Sequence, residues 1–101
     1  MGYAVVLARS AEADLEAIVS YVARENPQAA LRLGRALVAS LRSLEAFPEL
    51  GRVVPEFNQE SLREIVRRPY RIIYRVNGAA EQIEVIRFWH GSRGEPEVNP
   101  A

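Results

Sequence analysis

Apolar positions along this chain follow two periods in turn. Tyr3–Leu7 (YAVVL) is a short apolar run with β-branched residues, which predicts a buried strand. The spacing then lengthens. Leu15, Ile18, Val19 and Val22 recur at i, i+3, i+4, i+7, the stripe of a helix that buries one face. Ser10 offers that helix an N-cap, with Glu12 and Asp14 in its first turn. Asn26-Pro27 interrupts the pattern: proline disfavours helix at Asn26 but suits the first position of a new helix capped by Asn26. The second helix is predicted to run to about Ala46, with Ala30, Gly34, Leu37, Leu41 and Leu44 as its stripe. Glycine in mid-helix costs about 1 kcal/mol against alanine, so Gly34 predicts a close helix–helix crossing. So short a joint folds the two helices back into an antiparallel hairpin.

Beyond Ala46 the period shortens to two. Phe47–Phe57 (FPELGRVVPEF), with two prolines and a glycine, reads as a surface loop pinned by its apolar residues. Three strands follow over Leu62–Arg67, Tyr70–Val76 and Gln82–Trp89, separated by Pro69 and by the turn signal Asn77-Gly78. The order β-α-α-β-β-β predicts an α+β domain. The N-terminal strand and helical hairpin pack on one face of a small, mostly antiparallel sheet. Residues 1–93 form a single domain and 94–101, with two prolines and two glutamates, a flexible tail.

The alternation also assigns faces. Tyr70, Ile72, Tyr74 and Val76 point one way, toward the helices; Arg71, Ile73 and Arg75 point the other. In the last strand Ile83, Val85 and Trp89 oppose Ile86 and Phe88, so both of its faces are apolar. The hairpin covers one side only. The second face, with Ile73 ringed by Arg63, Arg71, Arg75 and Arg87, therefore reads as an exposed docking surface.

Composition narrows the classes. At 101 residues, 49% hydrophobic and 26% charged, the chain has ordinary globular composition and room for one modest core. It contains no cysteine, which excludes disulfides and thiolate metal sites. No apolar run reaches the roughly 18 residues of a membrane span, and no cationic-then-apolar leader opens the chain. A cytoplasmic protein without membrane contact is the expectation. All 13 basic residues are arginine, and they balance 13 acids. The balance is uneven: residues 1–61 hold 6 arginines against 8 acids, residues 62–93 hold 7 against 3. Such asymmetry bears on partners rather than fold.

Candidate chemistry is sparse. His90 is the only histidine, the residue type best suited to proton transfer near neutrality. With no second histidine or cysteine, no metal site is expected, and no Gly-rich phosphate loop or Ser/His/Asp set calls for a cofactor. The arginines of RRPYRIIYRV are the remaining candidates.

Five segments in order resemble a known family over nearly the full length. They are the opening strand with SAEADLEAI, then ENPQAALRL, LEAFPELGR, REIVRRPYRIIYRV and IEVIRFWHGSR. Together they resemble toxins of the RelE/ParE superfamily, the toxic half of type II toxin–antitoxin operons. The resemblance implies neutralisation by a cognate antitoxin encoded next to the toxin, with operator DNA bound only through the antitoxin complex. The RPYRIIYRV strand and the alanine-rich second helix are closer to the ParE-like branch, which implies non-enzymatic inhibition of DNA gyrase. The RelE-like alternative is a ribosome-dependent mRNA endoribonuclease, in which Arg71, His90 and Arg93 match catalytic positions. The absence of lysine and of a tyrosine after Trp89 departs from that branch. A third reading is an inactive module that still binds its antitoxin. On the assigned faces, Arg63, Arg71, Ile73 and Arg75 are the expected antitoxin contacts.

Overall fold

The computed structural model describes residues 2–98. Its order is β1 (Ala4–Leu7), α1 (Arg9–Ala23), α2 (Pro27–Ala39), α3 (Arg42–Ala46), β2 (Arg52–Val53), β3 (Leu62–Arg67), β4 (Tyr70–Asn77) and β5 (Gln82–His90). A 3-10 turn over Gly91–Arg93 follows. The strands form one sheet, β1-β5-β4-β3-β2, in which β1 runs parallel to β5 and every other pair is antiparallel. This is the predicted α+β architecture.

Local chemistry explains the helices, with two departures from the expected boundaries. Asn26 caps α2, its side chain accepting from the Ala29 N–H at 3.0 Å, and Pro27 occupies the first turn. Gly34 marks a close crossing: a Cβ there would lie 3.2 Å from Val19 Cγ2 of α1. Ser10 does not cap α1. Ala8 holds that position without a side-chain bond, while the Ser10 hydroxyl donates to the Ile86 carbonyl of β5 at 2.7 Å. The second helix is not continuous to Ala46 either. The Ser40 hydroxyl bonds back to the Ala36 carbonyl, and Leu41 N–H bonds to Val38. Ser40 also accepts from Arg67 Nε of β3. Such side-chain competition within the last turn is how serine bends or ends a helix.

Two clusters of buried side chains lie on the two faces of the sheet. On the helix side Ile72, Tyr74, Ile83, Val85 and Phe88 pack with Ala11, Leu37, Leu41 and Leu44. On the second side Ile73, Ile86 and Trp89 pack with Leu62 and Val54, joined by Phe57 and Val98. The partition within β5 differs from strict alternation. Ile73 is opposite Arg87 but Tyr74 is opposite Val85, so Ile86 is an extra residue on β5. A bulge of this kind inverts the faces beyond it. Phe88 therefore joins Ile83 and Val85 under the helices, and Trp89 joins Ile86 on the other side, the reverse of their expected placement.

The second face is not exposed. The 47–57 segment is not wholly a loop: Arg52–Val53 adds a fifth strand to β3, and the turn after it lays Val54 and Phe57 over the sheet. Residues 94–98 close the rest. Trp89 Nε1 donates to the Gly94 carbonyl at 3.1 Å, Arg87 Nη1 to the Glu97 carbonyl at 3.0 Å, and Pro96 is buried. The first part of the expected flexible tail is thus a strap across the sheet; residues 99–101 lie outside the described residues.

Candidate functional site

The arginines of β3 and β4 occur where the alternation puts them, but their surroundings are acidic. Glu64, whose side chain is fully buried, takes Arg52 Nε on one carboxylate oxygen at 2.7 Å and Arg71 Nε on the other. Arg71 then holds Glu56 through both terminal nitrogens at 2.8 and 2.7 Å. Those two bonds pull the Glu56 carboxyl down to about 2, and both carboxylates hold Arg71 firmly protonated. Because Glu56 sits in the turn beyond β2, the chain Arg52–Glu64–Arg71–Glu56 fastens that turn over the second core. Arg63 is committed as well, to the Gly51 carbonyl and to Glu60. Arg75 is half-buried beside Glu84 in the register.

Ile73, the apolar member of the expected antitoxin contacts, is 0% exposed and belongs to the second core. The expectation of an uncovered face neglected what an 11-residue proline-containing loop does when its own apolar residues seek cover. Val54 and Phe57 take the place assigned to a partner.

Of the three residues named for a nuclease, the fold brings together two. His90 is opposite Tyr70 on the helix side of the sheet, their rings edge to face with centroids 5.3 Å apart. Arg71 is opposite Trp89 on the other side. A sheet therefore stands between Arg71 and His90. Arg93 follows on the 3-10 turn, its guanidinium 3.8 Å from the Trp89 ring centroid. His90 also has a fixed proton arrangement. Its Nδ1 accepts from the Ser92 backbone N–H at 3.1 Å and meets the Ser92 hydroxyl at 2.7 Å. A backbone N–H can only donate, so the neutral ring carries its proton on Nε2. In that tautomer Nε2 is a donor.

His90 and Arg93 line a small groove of about 220 Å³ against α1, with Tyr70, Phe88, Ile18 and Tyr21. Burial keeps the Tyr70 hydroxyl protonated to higher pH than usual. Asp14, predicted only as a first-turn charge, forms part of this wall. It receives Arg87 Nε and Nη2 at 2.7 and 2.9 Å and the Phe88 N–H at 3.0 Å. Asp14 thereby ties α1 to β5 beside the bulge. Nothing in the sequence pairs residues 14 and 87.

A larger groove, about 770 Å³, lies between the hairpin and the outer edge of β1. Val5, Leu7, Leu15, Val19, Leu31 and Val38 line it, with Arg35, Arg42 and Glu45 at its rim. Leu31 and Val38 are 52% and 46% exposed, and β1 pairs on only one side. The sequence carried a signal for it, since Leu31 and Val38 lie off the stripe that packs on the sheet. Among the described residues no cluster of potential metal ligands occurs, and no helix is long and apolar enough to cross a membrane.

The chain is thus an α+β domain with a helical hairpin on one face of a five-stranded sheet. The model of the ParE toxin of type II toxin–antitoxin systems (parDE) matches residues 5–94, and the chain belongs to this family within the RelE/ParE superfamily. It is 33% identical over 91 residues to Toxin RelE1 of Caulobacter vibrioides, covering 90% of this chain and 96% of that one. The fold is shared with the chromosomal ParDE TA system from P. aeruginosa. There the TM-score is 0.72 at 24% identity, over 87% of this chain and 95% of the other. It is shared also with the RelBE2 toxin–antitoxin complex from Mycobacterium tuberculosis. For that structure the TM-score is 0.64 at 20% identity, over 89% and 99% of the two chains.

Proposed function

We propose that this type II toxin acts by binding its target, DNA gyrase, without chemistry of its own, and that a cognate antitoxin neutralises it. The observation that carries the non-enzymatic reading is the separation of the nuclease candidates. Cleavage by an RNA 2′-hydroxyl needs a base, an acid and a cation around one phosphate. Here Arg71 is across the sheet and already holds two carboxylates, and His90 presents Nε2–H as a donor. The formal net charge of zero points the same way, since affinity for ribosomal RNA comes largely from phosphate contacts. Gyrase as the target rests on the resemblance to the ParE-like branch. One observation favours the endoribonuclease reading: His90, Arg93 and Tyr70 do share a groove.

The antitoxin seat is better placed in the 770 Å³ groove than on the β4 arginine face. Its lining is apolar, its rim bears Arg35 and Arg42, and β1 offers an unpaired edge. An antitoxin segment with apolar residues on one side and carboxylates flanking them suits all three features. The toxin and antitoxin parts of the proposal separate in one growth assay. Expression of the chain in a bacterial host arrests growth, His90→Ala arrests it equally, and co-expression of the adjacent antitoxin gene relieves both. Loss of arrest on His90→Ala, in a variant of unchanged thermal stability, contradicts the non-enzymatic reading.

A further inference from the structure

The small groove at the end of the sheet has a chemical character that the proposed antitoxin seat lacks. Ile18 and Phe88 give it apolar lining, and Arg93, His90, Tyr21 and Tyr70 line it as well. The carboxylate in its wall, Asp14, is spent on Arg87 and on the Phe88 N–H. Arg93 is exposed and has no carboxylate partner among the described residues; it lies over Trp89. Arg24 is similarly placed over the ring of Tyr21, 5.9 Å from its centroid. Elsewhere on this sheet Arg52, Arg63, Arg71 and Arg87 all meet carboxylates of the same chain. Arg87 also lies over Trp89, 4.9 Å from its centroid, but is bound to Asp14; Arg93 and Arg24 have the ring contact without a carboxylate partner among the described residues, which orients a guanidinium without neutralising it.

We infer that this groove is an anchor site for one acidic side chain, glutamate or aspartate, of a partner protein. A groove of about 220 Å³ has room for one side chain. Apolar Ile18 and Phe88 receive the methylenes of the entering side chain, while Arg93 and His90 Nε2–H receive its oxygens. The inference rests on the reading that this toxin works through protein contacts.

The test is a nuclear magnetic resonance titration of the full 101-residue chain with three probes. These are the capped tripeptide Ala-Glu-Ala, its Ala-Gln-Ala counterpart, and a ribodinucleotide with one phosphodiester. The Ala-Glu-Ala peptide is expected to give saturable shifts at the His90 ring, the Arg93 side chain and the amides of Gly91 and Ser92. The Ala-Gln-Ala peptide should bind about tenfold more weakly, as the loss of a charge-assisted contact implies. Arg93→Gln should reduce the Ala-Glu-Ala affinity by a similar factor, with circular dichroism confirming that the variant is folded. Equal response to the glutamate and glutamine peptides overturns the inference, as does the absence of saturable shifts. Tighter binding of the dinucleotide overturns it too, and assigns the groove to nucleic acid. A positive titration without gyrase inhibition leaves the site standing and removes only the target. Gyrase inhibition with a negative titration does the reverse.

Discussion

Arg71 on β4 and Arg93 on the 3-10 turn after β5 differ in what surrounds them. Arg71 is 14% exposed in its side chain and closed on Glu64 and Glu56. Arg93 is exposed over a tryptophan ring and forms no ion pair among the described residues. In the sequence Arg71 read as a cation awaiting an anion, and Arg93 was named only as a nuclease position implied by the resemblance. The difference lies in residues 7 and 15 positions away along the chain, which fold onto one of them and not the other. A cation whose charge is met internally is part of the scaffold, because a partner has to displace a carboxylate to use it. A cation held by an aromatic ring keeps its charge for a partner.

The largest effect that separates the two regions should come from Glu64→Ala. The buried carboxylate joins Arg52 to Arg71, and its loss leaves a largely buried guanidinium with one partner instead of two. Removing one member of a buried ion pair costs about 3–5 kcal/mol. The solvent around Arg52, whose side chain is 61% exposed, argues for the lower end. Thermal or urea denaturation checks this; a change below about 1 kcal/mol contradicts the account of the network as a clasp.

Acid should open the same clasp in a defined window. Glu56 has its folded pKa lowered from 4.5 to about 2. A depressed carboxylate contributes stability that is fully present above the unfolded value and is lost as pH falls through the folded one. Stability should therefore decline between pH 4.5 and about 2, and Glu56→Gln should flatten that part of the profile. Urea midpoints measured across the window test it, and identical profiles for variant and wild type contradict it.

Arg93→Gln should have the smallest effect on stability. An exposed cation–π contact contributes about 0.5–1 kcal/mol, so the variant should unfold close to wild type while losing any partner bound at the groove. A loss as large as that of Glu64→Ala would place Arg93 in the scaffold and erase the contrast.

Most of the fold was legible because it depends on local signals. Asn26-Pro27 started α2, Gly34 marked the crossing with Val19, and the alternation in RRPYRIIYRV placed Ile72 and Tyr74 under the helices. Three features depended on the rest of the chain and were not. The bulge at Ile86 inverts Trp89 and Phe88, and a one-residue insertion leaves no trace in a strand apolar on both faces. The pair β2–β3 is only two residues long. The cover over Ile73 comes from Val54, Phe57 and Val98, three residues from two loops, each too weak a signal alone. For the candidate site the alternation found the arginines but not their carboxylates. His90 was legible as a residue type; its fixed tautomer follows from the Ser92 N–H, a contact set by the 3-10 turn after β5.

The central claim is that this toxin binds its target and performs no chemistry on it. Purified wild-type toxin and His90→Ala, each assayed for gyrase supercoiling and for ribosome-programmed mRNA cleavage, test it most directly. The account predicts equal inhibition of supercoiling by both proteins and no cleavage by either. Cleavage by the wild type that falls by about 10²–10⁴-fold in His90→Ala, the usual worth of general acid–base catalysis, would contradict it.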